Sequence, residues 1–394
     1  MLKIPFLTQY MVFLTKKEEK RMKIGLIGFG SMGKTHLYSV RNIPFFFNTD
    51  IKAEVKWICT RNIDKAREAA QKYGVPFYTD NEDDVINDKE VDIIDICTPN
   101  NCHFETAKKA ILAGKHVYCE KPVGTEEYEA ETLDTLAYDN KVYAQVVFNN
   151  RFLAPIMRAK ELIEEGYLGR ILSFNFKYHH SSALDINKNA GWKQNKDICG
   201  GGVLFDLGSH VIDLVLYLIN SNFKTIFGKE QIAFPKRKGI DGKEWQTNAD
   251  EAFYILATLE NGAHGTIEVS KIVTGSNDDL AFEIHGEDGS LKFNLMDPNF
   301  LEVYKSNDND DTLGAYKGYT RIECVNRYPR PGGVFPSQKA PVGWLRGHIG
   351  SYFSFLDSIN KDITPEPSLK QASKIHSVMR AAYISSELGK EVIL

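Results

Sequence analysis

No CxxC pair, no internal repeat, no low-complexity tract and no marked surplus of either charge occur in this 394-residue sequence. An uncharged apolar run of about 18 residues, the length needed to cross a bilayer, is missing as well; even VIDLVLYLI contains Asp213. Each absence removes a class of protein. The six cysteines, Cys59, Cys97, Cys102, Cys119, Cys199 and Cys324, lack paired spacing, and several fall in apolar runs that read as buried strands. They predict reduced thiols in an intracellular chain, not a disulfide framework. The group Cys97, Cys102, His103, His116 and Cys119 matches no common zinc spacing, so no metal is expected. With 48 basic against 52 acidic residues and a net charge of −4, the chain offers no general field for nucleic acid or an anionic membrane. A small molecule is the expected partner. In the opening MLKIPFLTQYMVFLTKKEEKR, Gln9 and Tyr10 break the apolar section, the positive charges follow it, and no small-residue cleavage site appears. Residues 1–21 therefore read as an extension before the first strand or as an overlong start assignment, not as a signal peptide, and a cytoplasmic location is expected.

What is present is ordinary globular composition, 43% apolar and 25% charged, in a chain long enough for two or three domains. Over residues 22–146 short β-rich runs alternate with helical patterns: MKIGLIG, AEVKWICT, VDIIDICT, HVYCE and VYAQVVF are separated by stretches such as NIDKAREAAQKYG and HFETAKKAILAG. That pitch predicts βαβ units on a parallel sheet, a doubly wound dinucleotide-binding domain. The first strand runs into GFGSMG, which sets Gly28, Gly30 and Gly33 in G-x-G-x-x-G spacing, with Phe29, Ser31 and Met32 completing the loop. Gly28 permits the tight turn, Gly30 admits a pyrophosphate to the backbone, and Gly33 lets helix and strand pack closely. The helix N-terminus then faces the phosphates.

An NAD-specific site carries an acidic residue at the tip of the second strand. Here Glu54 begins that strand, and its tip is Cys59, Thr60, Arg61 and Asn62. With no carboxylate there and Arg61 able to meet a 2′-phosphate, the cofactor is read as NAD(P) with a preference for NADP. The ends of later strands carry CTPNNCHFE and CEKP. Ligands bind outside the carboxyl ends of strands in such sheets, which brings Thr98, Pro99, Asn100 and His103 toward the cofactor and Glu120 and Lys121 toward the nicotinamide.

In GGGVLFDLGSHVID, residues 200–213, an apolar helical pattern carries Asp206, His210 and Asp213 at i, i+4 and i+7. Charges placed on a stripe that should be buried must pair with one another or serve a site.

Together GFGSMGKTH, CTPNNCHFETAKKAILAGKHVYCEKP, FNNRFLAP and GGGVLFDLGSHVIDLVLYL, in this order, resemble the Gfo/Idh/MocA family of sugar and inositol oxidoreductases. The resemblance runs from Met22 to the C-terminus. It implies catalytic roles for Lys121, Asp206 and His210, and a homo-oligomer, dimer or tetramer. His210 would exchange the substrate's hydroxyl proton, Asp206 one turn earlier would orient its ring, and Lys121 would stabilise an alkoxide. The GGG glycines would let the backbone approach nicotinamide or substrate.

From residue 147 to 394 strand patterns dominate, and Asn261-Gly262 and Asp288-Gly289 mark hairpins. The resemblance implies an α+β domain with a large open, mainly antiparallel sheet for substrate and subunit contacts. A polar connection is read at 307–343. Arg151, Lys193 and His348 are candidates to line a sugar pocket. Lys193 stands where relatives often have arginine, and it keeps the charge without bidentate hydroxyl recognition. The leading reading is an NAD(P)-dependent oxidoreductase acting on a hydroxyl or carbonyl carbon of a sugar, polyol or similar molecule. The alternatives are a glycoside hydrolase working through transient oxidation and a non-catalytic dinucleotide sensor.

Overall fold

The computed structural model describes residues 21–187, 189–239, 242–306, 317–325 and 343–394. The extension read at 1–21 lies outside them save Arg21, as does most of the connection read at 307–343. The first domain is a wholly parallel six-stranded sheet in the order β3-β2-β1-β4-β5-β6. Its strands are β1 (Arg21–Ile27), β2 (Lys52–Cys59), β3 (Phe77–Thr79), β4 (Ile93–Ile96), β5 (His116–Cys119) and β6 (Ala144–Val146). The crossovers are α1 (Ser31–Phe46), α2 (Ile63–Tyr73), α3 (Glu82–Ile86), α4 (His103–Leu112) and α5 (Glu127–Asp139). β3 and α3, three and five residues long, are too short to leave a period in the sequence.

Alternate strand residues feed two cores. Ile24, Leu26, Ile93 and Tyr118 join α1 on one face, while Ile94, Ile96, Val117 and Cys119 join α4 and α5 on the other. Burial on both faces explains the near-continuous apolarity of these strands. The order reverses beside β1, which opens a crevice at the strands' carboxyl ends.

The second part adds α6 (Ala154–Glu164), β7 (Ile171–His179), α7 (Lys196–Cys199), a π-helical turn at Leu204–Gly208, α8 (Ser209–Ile219), β8 (Phe223–Gln231), β9 (Lys236–Lys238) and β10 (Glu244–Gln246). It continues through β11 (Ala252–Leu259), β12 (His264–Ser270), β13 (Asp279–Gly286), β14 (Gly289–Asn294), β15 (Phe300–Lys305), β16 (Thr320–Glu323), α9 (Leu345–Lys361), α10 (Leu369–Leu388) and β17 (Val392–Ile393). Nine strands form one sheet, β16-β15-β14-β13-β7-β12-β11-β8-β17. Every pairing is antiparallel except that of β7 with β12. The hairpins at Asn261-Gly262 and Asp288-Gly289 join β11 to β12 and β13 to β14, as their turn residues predict. The stretch Lys196–Ile219 is apolar and long enough to cross a membrane, but 78% of its most apolar window is buried inside the fold.

Chain order and packing part company at α9. Its Ile349, Tyr352, Phe353, Phe355 and Leu356 complete the core under α1, with Phe353 stacked on Phe47 at 3.9 Å. Tyr118 and Ser351 share a 2.8 Å hydrogen bond. A boundary at 147 thus follows the chain, while the first domain's second layer is finished by residues from its far end.

Candidate active site

One continuous cavity of ≈ 1200 Å³ runs from the glycine loop along the strand ends to the π-helical turn. At its first end each glycine meets a different constraint. Gly28 has φ +93°, and a Cβ there would stand 2.5 Å from the Cys97 carbonyl carbon. A Cβ on Gly33 would stand 2.3 Å from the Gly28 oxygen, whereas one on Gly30 would meet nothing within 4 Å. The open face at Gly30 is the cradle a diphosphate needs at the start of α1. Phe29, Ser31, Met32, Thr60, Arg61, Asn62 and Lys65 line this end, joined by Asp80, Glu82 and Asp83. Farther along, buried polar atoms have no protein partner: Thr98 Oγ1, His210 Nδ1 and both ring nitrogens of His348. All three residues line the cavity, so its wall fits a polar ligand as long as a dinucleotide.

Not every residue read as a cofactor contact is free to make one. Asn100 donates from Nδ2 to the Cys199 carbonyl at 2.9 Å. The His103 nitrogens face the carbonyls of Pro122 and Thr98 at 2.7 and 2.8 Å, and burial lowers the ring's pKa. A neutral ring donates to one of the two carbonyls at a time. These two side chains shape the cavity wall by tying its loops together.

At the far end Asp206 is the hub. Its carboxylate receives Lys121 at 3.2 Å, Lys193 at 3.0 and 2.9 Å, and Lys271 at 2.8 Å. Lys121 Nζ also donates to the Asp206 carbonyl at 2.6 Å. Burial opposes the charge of Asp206, but Lys271, Lys193 and Lys121 outweigh it and hold the carboxyl well below the usual range. Burial, helped by the Lys193 cation, depresses Lys121, while Asp206 raises Lys193.

His210 is not bonded to Asp206, contrary to the i, i+4 reading. The Asp206 carboxylate is taken up by the three lysines, and between the two residues the chain passes from a π-helical turn at Leu204–Gly208 into α8. The His210 ring is instead wedged edge-on between Phe148 and Tyr178, at centroid distances of 5.9 and 6.1 Å. Burial and the Lys121 cation hold its pKa well below the ordinary value. It is a neutral imidazole, able to accept a proton.

Two further corrections concern this helix. Arg151, read as a pocket residue, forks onto buried Asp213 at 2.9 and 2.5 Å and lies over the Tyr217 ring. That pair fastens the chain after β6 to α8, and it accounts for Asp213. The glycines at 200–202 do not approach a ligand. Cβ atoms there would strike Phe205 at 2.6 Å, Phe205 and Tyr383 at 2.5 Å, and the Asp250 backbone at 2.1 Å, so small residues are needed for packing behind the π-helical turn. Asp250 secures that turn by accepting from the Gly202 and Leu204 amides at 2.8 and 3.0 Å.

Sequence reasoning missed Lys271, whose only signal is its place just beyond β12, beside the end of parallel β7. It also missed Tyr178, His180 and Asp278, in which Asp278 accepts from Tyr178 at 2.6 Å and pairs with His180 at 3.0 Å. Trp192, Trp344, Asn149 and Asn150 complete the far wall. A substrate hydroxyl between Lys121 and His210 would lose its proton to the neutral ring, while the ammonium groups stabilise the oxyanion left behind.

The family model described as "Oxidoreductase family, NAD-binding Rossmann fold" matches residues 22–148, and that described as "GFO/IDH/MocA C-terminal domain" matches 156–292. The chain is 30% identical over 370 residues to levoglucosan dehydrogenase of Pseudarthrobacter phenanthrenivorans, covering 90% of this chain and 94% of the relative. It is 30% identical over 360 residues to glucose-6-phosphate 3-dehydrogenase of Bacillus subtilis, covering 91% and 94%. The solved structure of levoglucosan dehydrogenase in complex with NADH and levoglucosan superposes with a TM-score of 0.90 at 30% identity, over 95% of this chain and 99% of that one.

Proposed function

The chain belongs to the Gfo/Idh/MocA family of oxidoreductases, and from that premise we propose that it oxidises a secondary alcohol of a sugar or polyol, or reduces the matching carbonyl, with a nicotinamide dinucleotide. The observation that carries this reading is a single cavity with a glycine cradle at one end and Lys121, Asp206 and His210 at the other. Bound there, the nicotinamide would take a hydride with its electron pair from the alcohol carbon, or return it. Lys121 and its neighbours hold the hydroxyl oxygen as its charge develops, and His210 takes the proton. Trp192 and Trp344 offer flat apolar faces to a sugar ring, and Asp278, Lys193 and His180 supply partners for its hydroxyls. A panel of sugars and polyols assayed at the absorbance of reduced nicotinamide tests the reading; no stoichiometric turnover of soluble cofactor with any of them would refute it.

Arg61 and Lys65 line the edge of the cavity where an adenosine 2′-phosphate would lie, and the tip of β2 carries no carboxylate, which favours NADP. Arg61→Ala should weaken NADP binding by about 1.5–3 kcal/mol, and NAD binding less. Equal losses by calorimetry would remove this preference. The reading also includes a cytoplasmic homo-oligomer. Free cysteines suit a reducing compartment, and Leu256 and Phe227, paired across β11 and β8, are 56% and 43% exposed on the open sheet. Light scattering would return a monomer's mass if that sheet stays bare.

A further inference from the structure

Beneath the middle of the cavity lies a charge cluster that the catalytic reading does not use. His36, in the second turn of α1, is 1% exposed and lies between two carboxylates. Nδ1 meets Asp95 Oδ1 at 2.8 Å, and Nε2 meets Glu120 Oε1 at 3.1 Å. Glu120 Oε2 accepts the Lys121 amide at 3.2 Å, and Asp95 Oδ2 accepts from buried Tyr352 at 3.1 Å. Burial disfavours the charged ring most strongly of any single cause, yet Asp95 and Cys97, whose Sγ lies 3.1 Å from Nδ1, together outweigh it and raise His36 well above the ordinary histidine value. Burial likewise opposes the charge of Glu120, but His36 draws that carboxyl down to about 2. Two carboxylates against one imidazolium leave one negative charge buried beneath the cavity wall. His36, Glu120 and His348 hold possible metal-ligand atoms within 4.8 Å of one another. Each His36 nitrogen already faces a carboxylate, however, so a protonated ring has no lone pair for an ion.

Glu120 is the member that reaches the cavity wall. It is bonded to the helix that starts at the glycine loop and is adjacent in the chain to Lys121. A dinucleotide with its diphosphate on that loop and its reacting carbon at Lys121 must pass it. Resting on the proposed dehydrogenase function, we propose that Asp95, His36 and Glu120 form a fixed negative pole beside the nicotinamide, which favours the oxidised, positively charged ring over the reduced, neutral one. Asp206 with its three lysines is the opposite pole, three ammonium groups against one carboxylate. The two poles match the charges of an alkoxide facing a pyridinium, the pair that stands just before oxidation of an alcohol.

The test measures dissociation constants of the oxidised and reduced dinucleotides on the full-length protein by calorimetry. Glu120→Gln keeps the side chain's shape and leaves Asp95 and the His36 imidazolium as a neutral pair, so it removes the cluster's net charge. The variant should bind the oxidised form about tenfold more weakly, with the reduced form changed by less than about twofold. Glu120→Ala, which removes the same carboxylate, should shift the ratio the same way and serves if Glu120→Gln does not fold. An unchanged ratio, or equal loss for both forms, overturns the proposal and leaves the cluster a scaffold for Lys121. Failure of the parent to bind either form would instead refute the dehydrogenase reading.

Discussion

The two ends of the cavity are built in opposite ways. The glycine end is made of backbone from one contiguous segment, and what matters there is where side chains are absent. The Asp206 end is made of side chains that converge from β5, the segment before α7, the π-helical turn, the end of β12 and α8. The first holds a shape that any dinucleotide shares. The second holds a balance of charge, in which three lysines hold one half-buried carboxylate well below its ordinary range. A contiguous backbone site tolerates change everywhere except at its few closest approaches, whereas a convergent charged site is sensitive at every member.

The contrast can be broken most sharply at Gly30. A Cβ there meets no protein atom within 4 Å, so Gly30→Val should leave the melting temperature near the parent's while dinucleotide affinity falls by about a hundredfold or more. A variant that binds as tightly as the parent in calorimetry would mean that the diphosphate lies elsewhere. At the opposite end, His210→Asn cannot titrate. Turnover should drop by about 10²–10⁴ with cofactor affinity retained, and a stable variant of near-parent turnover would remove the proton-transfer role. The smallest effect is expected between the two ends, at His348, whose pKa burial drives down to about 3. The unfolded chain takes up this proton near pH 6.5, and the folded protein resists it until about pH 3. Its contribution to stability is therefore complete above 6.5 and shrinks as the pH falls through that window. Between pH 6.5 and 5 the apo parent should lose about 2 kcal/mol more than His348→Gln in urea unfolding; parallel losses would show that the ring is already charged in the fold.

How far the sequence could be read follows the same division. The parallel sheet, the tight turn at Gly28, the close packing at Gly33 and both hairpins were legible because strand–helix alternation, glycine spacing and turn residues are patterns written within a few residues. The pairing of Asp206 with His210 was misread because i, i+4 spacing shows nothing of the lysines that the fold brings to the carboxylate from other parts of the chain. Arg151 looked like a ligand residue because its partner Asp213 lies 62 positions away. Lys271 carries no motif at all. His36 stood in full view inside GFGSMGKTH, yet its meaning depends on Asp95 and Glu120, which only the folded sheet brings to its two nitrogens.

The return of α9 to the first domain has a consequence for how the protein comes into being. During synthesis the nucleotide-binding half leaves the ribosome with Leu37, Val40, Ile43 and Phe47 uncovered, since the residues that cover them belong to a helix near the end of the chain. At ordinary elongation rates that helix follows on the order of ten seconds or more later. For that interval the nascent half carries an adhesive apolar strip, and a ribosome stalled before α9 would release a fragment prone to chaperone capture or aggregation.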